Sequence, residues 1–223
     1  MKGTRALLAA LLFGGATLMA QSTVASIQSN GTATIPVKPD QGQLTVTVTT
    51  QGNTAQDAGQ QNATQTTAVI SALTGVVGNN GTVQTVSYSV SPRYNNATPP
   101  AIVGYSASNT IQVTTNDISN VGRLIDTANQ AGATNVGNIS FGLQNPDPAK
   151  QQALTQAAQQ ALAHASAIAS GLGRKTGAVI SAQEASSYAP VVAGEAGLAP
   201  TSTPVVAGTV TVYASVTVTV GLQ

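Results

Sequence analysis

Apolar and polar residues alternate strictly from Leu44 to Thr50 (LTVTVTT), which puts Leu44, Val46 and Val48 on one face of a strand and threonines on the other. The same period of two runs through residues 83–90, 102–114, 134–143, 178–186 and 209–220. The last of these, TVTVYASVTVTV, is the clearest: Val210, Val212, Ala214, Val216, Val218 and Val220 share one face. Branching at Cβ suits these residues to a pleated, half-buried surface.

Between the strands the period lengthens to that of a helix. A first helix is predicted over residues 55–73, with Ala55, Ala58, Val69, Leu73 and Val76 on its inward stripe and Gly75 as its stop. Asn62 and Thr66 interrupt that stripe with polar groups. A second begins at an Asn116-Asp117 cap, presents Ile118, Val121, Leu124, Ile125 and Ala128, and ends near Gly132. The third is predicted to start with Asp147 as its cap and Pro148 at the first helical position, where a missing N–H costs nothing. Its inward face reads as Leu154, Ala158, Ala161, Ala165, Ile168 and Leu172, with Gln152, Gln156, Gln159 and Ser170 outward.

Two strand-helix-strand units are weakly alike: 44–50 with helix 55–73 and QTVSYSV, then 108–115 with helix 117–131 and TNVGNISFGL. Together with hairpins at 83–114 and 178–220 they predict an α+β fold. Its mixed, largely antiparallel sheet layers carry three packed helices, and a C-terminal hairpin follows the two units. Residues 188–207, with Pro190, Pro200, Pro204, Gly194 and Gly197, have no period and read as a flexible loop that packs on a neighbouring copy.

The N-terminus changes the picture of compartment. Lys2 and Arg5 precede an apolar run from Ala6 to Ala20, shorter than the roughly 20 residues of a spanning helix, so residues 1–25 read as a secretory signal cleaved after Ala20 or Ala25. The mature domain is then 26–223, with no transmembrane helix. Removing the leader leaves six basic residues against seven acidic ones. Six scattered cations make no phosphate-neutralising stripe, which excludes nucleic acid as a partner. With no cysteine, one histidine and no tryptophan, the chain has no disulfide, no cysteine-ligated metal and no aromatic cage, and no cofactor is expected. Only 7% of residues are charged, so Thr, Ser, Asn and Gln must keep the surface wet.

Six blocks in order resemble the SIMPL-domain family of bacterial envelope proteins: GTATIPVKPDQGQLTVTV from Gly31; Ala58 and Asn62; TVSYSVSPRY (85–94); IVGYSASNTIQV (102–113), with Gly104, Tyr105, Asn109, Ile111 and Val113; GATNVGNISFGL (132–143); and the alanine-rich helix with Gly173, Gly177 and AGTVTVYASVTVTV. The resemblance implies an exported α+β domain that self-assembles, with links to envelope integrity or oxidative stress and no catalytic residues. The chain departs from the family around His164, where a basic residue and more charge are usual.

No residue makes a convincing catalytic or metal site. His164 falls about 80° from the centre of its apolar stripe and reads as a boundary residue. Asp117 and Asp147 read as caps and Asp40 as a turn residue. Asn62 is expected to tie the first helix to backbone groups of the sheet, because a buried amide must be hydrogen-bonded. Tyr88, Arg93, Tyr94 and Tyr105 gather in the central hairpin as a candidate interface. A nearly uncharged β surface lacks the lysines that block edge-to-edge pairing. The expectation is therefore a non-enzymatic homo-oligomer of the periplasm, peripherally associated with the outer membrane. The rivals are a binding module with residues 188–207 as a lid and a hydrolase assembled from distant residues.

Overall fold

A computed structural model describes residues 25–189, 191–192 and 203–223. The expected leader, and residues 190 and 193–202 of the expected loop, lie outside the described residues. The elements run β1 (Ser26–Val37), β2 (Gln41–Gly52), α1 (Ala55–Val77), β3 (Gly81–Tyr94), β4 (Ile102–Thr115), α2 (Val121–Gln130), β5 (Asn135–Gly142), α3 (Asp147–Gly171), β6 (Thr176–Ala189), β7 (Val191–Val192) and β8 (Val210–Leu222). They form two antiparallel sheets, ordered β3-β4-β2-β5-β7 and β1-β8-β6. The fold is α+β, with no closed barrel among the described residues.

The two strand-helix-strand units interleave in the larger sheet. β4 lies between β2 and β3, and β2 lies between β4 and β5, which is the split β-α-β arrangement of ferredoxin-like folds. Leu44, Val46 and Val48 of β2 meet Ile111 and Val113 of β4 on one face. Val69, Leu73 and Val77 of α1, Val121, Leu124 and Ile125 of α2, and Phe141 of β5 complete this core. The opposite face follows from alternation. There Gln43, Thr45, Thr47, Thr49 and Gln51 stand opposite Thr114, Gln112, Thr110, Ser108 and Ser106. An antiparallel sheet with one solvated face needs polar side chains there, and this chain supplies them without charge.

Helix limits differ from expectation where capping overrides composition. α1 starts at a Thr54 cap, whose hydroxyl accepts from the Asp57 N–H at 3.1 Å, and continues through Gly75 to Val77. Gly78, with φ of 55°, takes the left-handed terminal position that glycine occupies without strain. Ala55 is exposed, and Val77 replaces Val76 as the last fully buried residue. Asp117 does cap its element, accepting from the Ser119 N–H at 3.1 Å, but a single 3-10 turn, Ile118–Asn120, precedes α2. Asp147 is the first residue of α3 and not its cap: Pro146 holds the cap position, and Asn145 Oδ1 accepts from the Asp147 N–H at 3.1 Å.

The inward face of α3 is the main correction. The buried stripe is Ala149, Ala153, Ala157, Ala161, Ala165 and Ala169, one alanine every fourth residue. Ile168 and Leu172 are 45% and 63% exposed, and Leu154 and Ala158 are only half-buried. The reason is distance. A Cβ on Gly31 of β1 would run into the backbone of Ala157 and Ala161, so helix and strand touch main chain to main chain. Larger side chains have no room between them and turn outward. The stripe meets Ile27 and Ile35 of β1 and the valine face of β8.

β1 was not expected from periodicity. Its residues SIQSNGTATIPV carry Gly31 and Pro36 and alternate only weakly, yet the strand pairs with β8 from Ser26 to Val37. The segment expected as one long loop is held at both ends: β6 runs on to Ala189, and β7 pairs with Ser140 and Phe141 of β5. Further on, Thr203 donates from its hydroxyl to Asp126 Oδ1 at 2.6 Å and from its N–H to Asp126 Oδ2 at 3.2 Å. Val205 and Ala207 then pack against the larger core.

Candidate interaction surface

An antiparallel sheet ends in two strands whose outward N–H and C=O groups need partners. In the smaller sheet, two of these groups on β1 have them. His164 Nδ1 lies 2.9 Å from the Asn30 carbonyl oxygen, and Gln160 Oε1 accepts from the Thr32 N–H at 2.6 Å. A carbonyl only accepts, so the histidine donates. Gln160 and His164 stand one helical turn apart, so one flank of α3 serves one border of β1. Ser29 Oγ donates to the Ala161 carbonyl at 2.7 Å and fixes the register.

The β5 border of the larger sheet is met in part by β7. The other two borders differ. Among the described residues no strand lies beyond β3 or β6, each of them 14 residues long. Val86, Tyr88 and Val90 on β3 and Val179 and Ile180 on β6 are exposed. Arg93 on β3 and Glu184 on β6 have no counter-ion among the described residues. Neither strand carries a lysine.

The structure separates the sequence-derived cluster. Tyr88 pairs with Asn109 and faces α1, its hydroxyl oxygen 3.1 Å from where a Gly59 side chain would begin. Tyr105 falls on the same side by alternation from buried Ala107, whereas Arg93 turns to the opposite face and donates to Gln51 Oε1. Tyr94 lies past a register shift at the strand end and is 58% exposed. The four residues thus share the β3–β4 hairpin but not one surface.

Beneath α1, Asn62 is fully buried, and its Nδ2 donates to the Val48 carbonyl at 2.9 Å and the Ala107 carbonyl at 3.1 Å. Its Oδ1 accepts from Thr66 Oγ1 at 3.3 Å, and Thr50 Oγ1 donates to the Ala58 carbonyl at 2.7 Å. One amide thus spans β2 and β4 from the helix. Sequence reasoning missed Gln160, the Ser29 hydroxyl and the two α3 contacts on the border of β1. Spacing of four between Gln160 and His164 was available as a signal, but nothing in it indicated a strand alongside.

Among the described residues no three of His, Asp and Glu come together as a metal-binding group, and no helix is long and apolar enough to cross a membrane. The chain is similar to the 26 kDa periplasmic immunogenic protein of Brucella melitensis biotype 1, 28% identical over 168 residues that cover 73% of this chain and 67% of that protein. It is also similar to the uncharacterized protein YggE of Escherichia coli K12, 28% identical over 166 residues that cover 74% of this chain and 68% of that one. The profile of the SIMPL family, described as a protein of unknown function (DUF541), matches residues 27–220, from the first residues of β1 almost to the end of β8. This chain belongs to the SIMPL family.

Proposed function

We propose that this protein is an exported, periplasmic, non-enzymatic domain that works by associating with copies of itself. The observation that carries the reading is the contrast between borders: on β1 the Asn30 carbonyl and the Thr32 N–H are met by α3 side chains, while β3 and β6 are long, uncharged over most of their length and, among the described residues, without a strand beyond them. Unpaired strand borders are templates for another chain, and closed association removes them. Export is supported by the basic-then-apolar residues 1–25 and by the periplasmic name of the Brucella relative. The absence of enzymatic activity is supported by the lone histidine being spent on the Asn30 carbonyl. Light scattering on the mature chain after size exclusion tests the reading. A mass that is a multiple of the protomer is expected; a monomer at tens of micromolar contradicts it.

A second reading is favoured by the open face of the larger sheet. Its hydroxyl and amide rows on β2 and β4 offer donors and acceptors without charge, the chemistry of contact with a neutral, hydroxyl-rich envelope polymer. Co-sedimentation with purified cell-wall sacculi tests it. Retention lost on Thr47→Lys with Thr110→Lys supports binding, and a chain left wholly in the supernatant contradicts it.

A further inference from the structure

Resting on the polymer-binding reading of the open sheet face, we infer that its occupant is a cell-wall glycan that carries isolated carboxylates. The hydroxyl rows lie along the glycan, and Arg93 holds a carboxylate at one end. The rows extend past β2 and β4. On β3, Ser87, Ser89 and Ser91 stand opposite Thr110, Ser108 and Ser106, which in turn stand opposite Thr47, Thr49 and Gln51. On β5, Asn135 stands opposite Thr47. Paired residues share a face, so polar side chains recur about every 4.8 Å across the strands and about every 7 Å along them. The β3 serines are exposed, and the β2 and β4 members are half-buried. Thr49 Oγ1 donates to Ser108 Oγ at 3.4 Å. The hydroxyls of Thr45, Thr47, Thr110, Ser87, Ser89 and Ser91 bond to none of the described residues. Each can donate once and accept twice, which suits a ligand with closely spaced hydroxyls.

Charge narrows the ligand further. Across β2, β3, β4 and β5, Arg93 is the single charged residue. It follows Ser91 by two and so stands on the same face, where its guanidinium donates to Gln51 Oε1. A neutral amide leaves the positive charge uncompensated, and the other N–H groups of the fork stay available. Asp57, near the same end of β2, lies beside Gly52 on the α1 side, and no ion pair joins it to Arg93. A planar guanidinium held on a neutral face grips a carboxylate through two parallel bonds. One cation does not suit a membrane, because anionic lipid surfaces are read by clusters of about four to eight basic residues. The matching partner is neutral along its hydroxyl-bearing length, with carboxylates set apart from one another. Cell-wall strands, with sugar hydroxyls along the chain and carboxylates on their side peptides, have that composition.

Co-sedimentation at low ionic strength tests this, with purified sacculi left native or with their carboxyl groups converted to amides. The unmodified chain should bind native sacculi about tenfold more tightly than amidated ones. Arg93→Gln should bind both equally, at the weaker level, with its folding checked by its thermal transition. Equal binding of the unmodified chain to both preparations overturns the inference while the polymer reading stands, and this arm needs no variant. A preference for native sacculi that survives Arg93→Gln overturns it as well. If the unmodified chain stays in the supernatant with both preparations, the polymer reading fails and the inference with it. Vesicles rich in phosphatidylglycerol should leave the chain in the supernatant. Vesicle binding lost on Arg93→Gln would assign the guanidinium to phosphate and overturn the inference.

Discussion

His164 Nδ1 lies 2.9 Å from the carbonyl oxygen of Asn30, so a side chain on α3 closes the border of β1 at the point where another strand would otherwise pair. One turn earlier Gln160 does the same for the Thr32 N–H. Replacing both, Gln160→Ala with His164→Ala, is expected to cost about 0.5–1.5 kcal/mol per bond, at the lower end because both are exposed. The more telling result is at the border itself. Amide exchange at Thr32 should quicken, and the variant should aggregate faster than the parent. Unchanged exchange at Thr32 would show that the α3 contacts do not protect the strand.

Asn62→Ala removes one amide that serves two carbonyls on different strands. The expected loss is about 1–3 kcal/mol, the cost of leaving buried polar groups unpaired. For a chain of this size each kcal/mol lowers the Tm by about 2–4 °C. Asn62→Asp should be worse, since a carboxylate cannot donate to carbonyls and brings a charge into a buried position. Equal Tm values for parent and both variants would show that the amide does not tie the layers together.

Main-chain contact between β1 and α3 predicts where substitutions hurt. Gly31→Ala forces a methyl into the backbone of Ala157 and Ala161, and the loss should reach the upper end of overpacking costs, about 3 kcal/mol. Ala157→Leu should behave alike. Leu172→Ser, at a residue 63% exposed, should fall within about 0.5 kcal/mol of the parent. Urea denaturation ranks the three. The reverse order would restore the leucine-lined face expected from periodicity.

Asp126 holds the segment that returns to β8, through the hydroxyl and the N–H of Thr203. Asp126→Ala should loosen residues 203–209 while leaving the core of α2 intact, because Val121, Leu124 and Ile125 carry that packing. Cleavage by a protease of broad specificity should then become faster within 203–209. No change in that rate would assign the hold to Val205 and Ala207 alone.

Much of this fold is legible in the sequence, and the exceptions share a cause. Strict alternation, as in β2 and β8, marks strands whose one face is buried and whose other is wet. The same alternation, with the helices between, predicted two strand-helix-strand units, though not that they interleave in one sheet. β1 escaped because Gly31 and Pro36 weaken its pattern, and because its burial depends on a helix more than a hundred residues away. The α3 face was misread because size was taken as the sign of burial. Where backbones touch, alanine goes inside and leucine outside, and only a distance in three dimensions says so. Asn62 stood out because a polar residue interrupted an apolar stripe. Tyr88 and Tyr105, by contrast, share one side of the hairpin, while the pleat turns Arg93 to the other and a register shift sets Tyr94 apart.

Amide hydrogen exchange at two protein concentrations tests most directly whether copies cover one another's open borders. At high concentration the outward amides of β3, other than at Pro92, which has none, and those of β6 should be protected, and on dilution they should exchange rapidly. Thr32, already served by Gln160, should show no such dependence. Exchange along β3 and β6 that is equally fast at both concentrations would contradict the account.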